Sequence, residues 1–490
     1  MIRELILSAN RHETRAALME DGVPAEIFIE RESRAPLLGN IYLGRVTSVL
    51  PGMQSAFVDL GTDRDAFLYV TDLIPPDSAS PEMRPRAARD RGPAIETFVR
   101  PDQKLLVQVV REPLGTKGAR ATTHLSLPGR ALVLLPHGSG RSVSRRVGSE
   151  EEKQRLQRLA EEIPGEEGFI VRTAAEGCPP EALRREADTL RRRWKAIEAR
   201  AGEASAPACL HLEAELSVRL LRDLLTESIH RVVVDGEAAL DRCREYAAEF
   251  LPLLAHRLER YQGPADAFEA LGIDREIRRA LRRRVALPSG GTLIIHPTEA
   301  LVAIDVNTAR FIGSSGFEQT ALETNCEAVR EIVRQIRLRD LGGILVVDFI
   351  DMQEEANRER VTRELEEALK ADRARSRMLG VSEFGLVQIT RQRIRRGLDG
   401  VLRTSCPTCR GAGRLRTAET LRLQLQRELR RSGLIEAGTS WRVLAHPDLI
   451  AEIRAHWEDF LEEARLPSGT QLRLETVPGV HPEHYEVRGD

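Results

Sequence analysis

A multidomain α/β protein is predicted by three features of this sequence. Its 490 residues exceed what one hydrophobic core ordinarily organises, so several domains are expected. Residues 291–352 read as strand, helix, strand, the pattern of a parallel crossover unit. Residues 41–127 hold five short strand-like runs separated by turns, the pattern of a small closed barrel.

The crossover carries the candidate chemistry. Leu301 to Ile304 is an apolar, β-branched run ending in Asp305 and Asn307, whose spacing of two puts both side chains on one strand face. Ile344 to Val347 is a second such run and ends in Asp348. Between them, Leu322, Cys326, Val329, Ile332, Val333 and Ile336 recur at helical spacing, and Gly342 and Gly343 supply a stop. Parallel strands put Asp305, Asn307 and Asp348 at the same carboxyl-terminal edge, where sites form in open α/β sheets. Carboxylates and an amide oxygen suit Mg²⁺ or Mn²⁺, which complete their shells with water and phosphate oxygens. An Asp at a strand end also starts turns or caps helices, and Asp351 reads equally as a ligand and as an N-cap.

Composition narrows the class. Basic and acidic residues nearly balance, 73 against 75, so no global field marks a polyanion binder, and any polyanion must be met by local patches. Four of the six cysteines (Cys178, Cys209, Cys243 and Cys326) are isolated, which is reduced usage and no disulfide framework. The charged start, MIRELILSANRHETR, has no apolar signal core, and no run approaches the ~20 apolar residues of a spanning helix. A cytoplasmic protein is expected.

In order, residues 1–35 read as strands too few for a core, which must complete a sheet supplied elsewhere. Residues 36–128 hold Ile41 to Leu50, Ser55 to Leu60, Ala66 to Val70, Lys104 to Val110 and Ala121 to Leu127, with a Pro/Arg-rich insertion at about 75–100. The stretch GNIYLGRVTSVLPGMQSAFVDLG resembles the S1 RNA-binding domain, a barrel of the oligonucleotide-binding type. Phe57 and Phe67 fall on neighbouring strands where rings can stack unpaired bases, and Lys117 can meet a phosphate. Alone, both Phe would read as core.

Residues 129–209 contain a basic knot at Arg145 and Arg146 and a strand ending in Arg172 and Thr173, a pairing that can cradle phosphate. His230 to Gly236 is a strand among helices, and Arg278 to Arg284 is a dense basic run, either a backbone-contacting patch or a charged helix face. Leu386 to Ile389 reads as a third strand of the crossover sheet, which would bring Arg375, Arg391, Arg393, Arg395 and Arg396 near the substrate edge. CPTCRGAG supplies Cys406 and Cys409, which look like half of a tetrathiolate zinc site, the alternative being two free buried cysteines. With no second C-x-x-C, another copy of the chain would complete it. Residues 416–490 show no chemistry and read as an interaction or dimer-completing module.

Together these motifs resemble the ribonuclease E/G family: GNIYLGRV, LPGMQSAFVDLG, GTKGARATTHLSLPG, VRTA, AIDVNTARF, ETN, LRDLGGI, VVDFIDM, DRAR and CPTCRGAG stand in the family's order. The length and lack of a long carboxyl-terminal scaffold are similar to the ribonuclease G branch. The resemblance implies an RNase H-like subdomain split between residues 1–35 and 210–282. An S1 domain at 36–128 and a 5′-sensor domain at 129–209 are inserted in it. A DNase I-like catalytic subdomain at 283–400, a zinc-link at 401–415 and a small carboxyl-terminal domain at 416–490 follow.

The function so implied is Mg²⁺- or Mn²⁺-dependent endonucleolytic cleavage of single-stranded RNA, favouring 5′-monophosphorylated substrates and leaving 5′-phosphate and 3′-hydroxyl ends. Its settings would be rRNA and tRNA maturation and mRNA decay. Asp305 and Asp348 match the family's metal-binding aspartates and Asn307 the Asn beside them; Phe57, Phe67 and Lys117 match its S1 contacts. Gly129, Val133, Arg145, Arg172, Thr173 and Arg375 match its 5′-monophosphate pocket. Cys406 and Cys409 match a Zn²⁺ shared between subunits, making a homodimer or a tetramer. The insertion near Pro75 and the tail depart from the pattern. Rival readings are a non-catalytic RNA-binding scaffold dimerised by zinc and a phosphodiesterase acting on single-stranded DNA.

Overall fold

Strands Arg3–Ala9, Glu13–Glu20 and Val23–Arg31 open the chain as an antiparallel meander. Its second hairpin turns at Asp21 and Gly22, both at positive φ (48° and 80°), where glycine adds no steric cost. Four consecutive residues of the first strand, Leu5 to Ser8, are buried, so both faces need cover. The cover comes from far along the chain. Strand Ile229–Asp235 lies parallel to Arg3–Ala9, pairing Leu5 with Val232 and Leu7 with Val234, over a core with Leu220, Leu221 and Leu240.

This computed structural model describes all residues except 35, 74–93, 114–116, 299, 309–315, 383–384, 394, 432–438 and 490. Most of the insertion expected at about 75–100 therefore lies outside the described residues. The protein is a mixed α/β chain of two compact units, Met1–Val401 and Leu402–Asp490.

The barrel strands are Ile41–Leu50, Ser55–Asp59, Ala66–Tyr69, Lys104–Arg111 and Arg120–Thr122. The sheet closes because Ile41–Leu50 pairs with Lys104–Arg111 as well as with Ser55–Asp59. Alternation sorts its faces: Ala56, Val58, Ala66 and Leu68 are fully buried inside, while Phe57, Phe67 and Tyr69 turn outward. Strand Ala208–His211 adds to the barrel's edge against Tyr42 and Leu43. A separate four-stranded sheet, residues 127–171, packs on helix Pro180–Glu203 through Leu183, Leu190, Trp194 and Ile197.

The sheet bearing Asp305 has six strands: β1 (Arg284–Ala286), β2 (Thr292–Pro297), β3 (Leu301–Asn307), then, after helix α1 (Phe317–Arg339), β4 (Gly343–Asp348), and after helix α2 (Glu355–Leu369), β5 (Ser376–Val381) and β6 (Leu386–Arg391). Their order is β1-β2-β3-β4-β6-β5, and only β3 and β4 are parallel. The expected strand at Leu386 is thus present. Helix α1 stops at Asp340, in the left-handed region with φ 50°, rather than at the glycines; Gly343 (φ 99°) instead opens β4.

The second unit packs helices Ala418–Arg431, Pro447–Ala455 and Trp457–Ala464 on a three-stranded sheet through Leu421, Leu425, Val443, Ile450 and Phe460. Among the described residues, no helix is long and apolar enough to cross a membrane.

Candidate active site

Strands β3 and β4 each present one buried and one open face. Val302, Ile304, Val306, Leu345 and Val347 pack under α1 and α2, while Ala303, Asp305, Ile344, Val346 and Asp348 occupy the opposite side. The parallel register sets Asp305 directly beside Asp348, and Asn307 Nδ2 donates to Asp305 Oδ2 at 2.8 Å. Partial burial pushes the Asp348 carboxyl above the usual range, and the charges of Asp305 and then Asp351 push it the same way. Among the described residues, no ion pair involves Asp305, Asp348 or Asp351. Negative charge has been gathered and left without a counter-charge.

Helix α1 holds the turn beyond β4. Asn325, fully buried, donates from Nδ2 to the Ile350 carbonyl (2.9 Å) and accepts from the Ile350 N–H (3.1 Å). Glu318 accepts from the N–H groups of Gln353 (2.9 Å) and Glu354 (3.2 Å) and from Asn357 Nδ2 (2.8 Å). These positioning roles were missed by sequence reasoning; the available signal was an amide inside the apolar stripe between Leu322 and Cys326. Asp351 is no helix cap, because α2 begins at Glu355 after Glu354.

The arginines expected near this edge are elsewhere. Strand β6 runs antiparallel to β4, so Asp348 faces Leu386 and Gly343 faces Arg391. Arg391 therefore lies about 17 Å from the aspartates, five strand steps away. It is buried, with Nε on Asp372 Oδ2 and Nη1 on Asp340 Oδ1, both at 2.6 Å. Arg395 Nε donates to Asp340 Oδ2 (2.8 Å), Arg393 Nη2 to the Gly342 carbonyl (2.7 Å) and Arg396 Nη2 to the Pro113 carbonyl (3.2 Å). Arg375 is exposed beside a shallow groove with Gly343, Ile344, Arg377 and Thr390.

On the barrel, Phe57 and Phe67 are direct cross-strand partners with ring centroids 5.9 Å apart, edge to face. Tyr69 stacks on Phe67 at 6.5 Å and 17°, extending the row to three rings. Its spacing of two from Phe67 was the overlooked signal. Lys117 is exposed, three residues before Arg120, the cross-strand partner of Phe67.

Gly129, Val133, Arg172 and Thr173 come together around one strand end. Arg172 Nη1 donates to the Gly129 carbonyl (2.6 Å) and Nη2 to Asp223 Oδ1 (2.8 Å). Val133 pairs with Pro128 and Ile170. Thr173 Oγ1 is 3.3 Å from Ser144 Oγ. A Cβ at Gly129 would fall 2.1 Å from Glu186 Oε1, so a larger residue there would displace that carboxylate. Arg145 is exposed; its neighbour Arg146 donates to the Arg373 carbonyl (2.9 Å), which joins this loop to the segment bearing Arg375.

In the second unit, the N–H groups of Cys409 and Thr408 hold the Cys406 thiol below its usual range. Arg410 (φ 50°) and Gly411 (φ 95°) turn the chain so that the Arg410 N–H meets the Cys406 carbonyl (2.7 Å). Among the described residues, no group of three or more His, Cys, Asp and Glu gathers closely enough to hold a metal ion.

Residues 126–394 match the model of the Ribonuclease E/G family. Over 490 residues the chain is 40% identical to Ribonuclease G of Salmonella typhimurium (strain SL1344), covering 99% of each protein. The same figures hold for Ribonuclease G of Escherichia coli (strain K12). Against Ribonuclease E of Nostoc sp. the identity is 40% over 417 residues, 83% of this chain and 58% of that protein. The chain belongs to the ribonuclease E/G family.

Proposed function

We propose that this chain cleaves single-stranded RNA at Asp305 and Asp348, with a divalent cation, Mg²⁺ or Mn²⁺, held between them. Family membership makes it an endoribonuclease of RNA processing. The observation that carries the cation is the in-register pair of carboxylates with no basic partner among the described residues, joined by an amide that fixes one of them. A hard cation suits such donors and, when bound, activates water and offsets charge on phosphorus. The chain's own residues do the rest. Asn307 fixes the Asp305 carboxylate, and Asn325 and Glu318 hold the turn after Asp348 so that it does not collapse into solvent.

Phe57 and Phe67, with Tyr69, would stack successive bases and keep the strand unpaired, with Lys117 on the backbone. The layout of an RNase H-like subdomain with inserted S1 and 5′-sensor domains and a DNase I-like catalytic subdomain accommodates the observed sheets. In the sensor reading, Arg172 and Thr173, with Gly129, Val133, Arg145 and Arg375, take the 5′-monophosphate. Cys406 and Cys409 suit half of a Zn²⁺ site that a second copy completes, in a cytoplasmic homodimer or tetramer; the lowered Cys406 thiol favours the thiolate a metal needs.

The test is cleavage of a labelled single-stranded RNA in Mg²⁺, with 5′-monophosphate and 5′-hydroxyl forms compared. Faster cutting of the monophosphate supports both sites. Equal cutting removes the sensor reading alone. RNA bound but never cut would make the chain a scaffold, and equal cutting of matched single-stranded DNA would remove the RNA preference.

A further inference from the structure

The open face of the sheet carries one more group in line with the aspartates. Strand β1 pairs Arg284 with Ile294, β2 pairs Ile294 with Asp305, and β3 pairs Asp305 with Asp348. Directly opposed residues point to the same side, so Arg284, Ile294, Asp305 and Asp348 form one row across the sheet. The intervening positions confirm the parity: Leu293, Ile295, Ile304 and Val347 are all buried on the helical side. Arg284 and Ile294 are exposed, the latter by 39%.

Arg284 is the last residue of the basic run, and the fold separates it from its neighbours. Arg278 and Arg279 belong to the preceding helix, Ile273–Ala280, where Arg279 pairs with Glu276. Arg284 has no ion pair or hydrogen-bonded side-chain partner among the described residues. Its Cα stands two strand spacings from that of Asp305, about 10 Å. That gap has a chemical consequence. An adjacent arginine would pair with Asp305 and neutralise it. Ile294 between them keeps the guanidinium and the carboxylates apart, each available to a third party.

We propose that Arg284 binds the scissile phosphodiester, its guanidinium on a non-bridging oxygen, from the side of Asp305 opposite Asp348. A phosphodiester is what fits between a fixed cation and an acidic pair that needs a counter-ion of its own. Arginine presents parallel N–H donors matched to phosphate oxygens and stays charged at every working pH. The proposal rests on the aspartate reading above and adds the group that orients the phosphate against it.

Steady-state cleavage of a 5′-monophosphorylated oligonucleotide by wild type, Arg284→Gln, Arg284→Lys and Asp305→Asn tests it. Losing one charge-assisted contact should lower kcat/KM of Arg284→Gln by about tenfold or more, with Arg284→Lys in between. The melting temperature should not move, since Arg284 is exposed and has no ion pair among the described residues. A single phosphorothioate at the scissile position, in the isomer that slows wild type, should slow Arg284→Gln less, because the two changes remove the same contact. Cleavage by Arg284→Gln within about twofold of wild type, or a full additional phosphorothioate penalty, overturns the proposal. Should Asp305→Asn itself cut normally, the aspartate reading falls first, and the two failures are distinguishable.

Discussion

The two ends of β4 hold aspartates in opposite conditions. At its start, Asp340 and Asp372 are met by Arg391 and Arg395, with side chains of Asp372 and Arg391 only 2% and 6% exposed. At its end, Asp348 is exposed and its neighbour Asp305 half-buried, and neither has an ion-pair partner among the described residues. The same residue type is scaffold where its charge is answered and a candidate site where it is not. Desolvating a carboxylate is tolerable only with a partner in place, as at Asp372, whereas the partly exposed pair is hydrated and free to meet a cation.

Breaking the open end should cost activity most. Asp305→Asn should lose more than about a hundredfold in cleavage rate while retaining RNA binding, read by a gel assay and a binding assay on one preparation. Breaking the answered end should cost stability. Asp372→Ala leaves buried Arg391 with one of its two carboxylate partners, and a loss of about 3 kcal/mol is expected in chemical denaturation.

A third answered carboxylate sharpens the contrast through pH. Burial opposes ionisation of Glu26, but Arg373, Arg337 and Arg395 outweigh it and bring its carboxyl to about 2. A folded pKa below the unfolded one gives stability that is full above pH ~4.5 and lost as pH falls toward 2. Denaturation of wild type and Glu26→Gln between pH 7 and pH 3 should show the wild-type advantage shrinking below pH ~4.5; a constant gap would sink the assignment. The smallest effect belongs to the barrel. Phe67→Leu should weaken single-stranded RNA binding by about tenfold, the value of one stacked base, with little change in melting.

How far the sequence reached differs along this sheet. The apolar runs ending in Asp305 and Asp348 were legible because burial and strand parity are written in residue type. The direction of β6 was not. An Arg-rich stretch following Leu386 looks like a substrate edge unless its strand is known to run antiparallel, and that depends on long-range pairing. Arg284 was invisible for the same reason: its place in line with Asp305 exists only through two successive strand registers. On the barrel, Phe57 and Phe67 were read as a surface pair only through the motif around them, since alternation alone does not say which face is inside. Asp351 was ambiguous locally and was decided by where α2 begins.

The most direct measurement compares Asp348→Asn with Asp372→Asn in melting temperature and RNA cleavage. Asp348 has a raised carboxyl pKa, so its charge opposes folding at neutral pH, and its removal should leave the melting temperature unchanged or higher while cleavage is abolished. Asp372→Asn should melt lower and, below its melting temperature, still cut. Normal cleavage by Asp348→Asn, or its destabilisation to the extent of Asp372→Asn, would contradict the account.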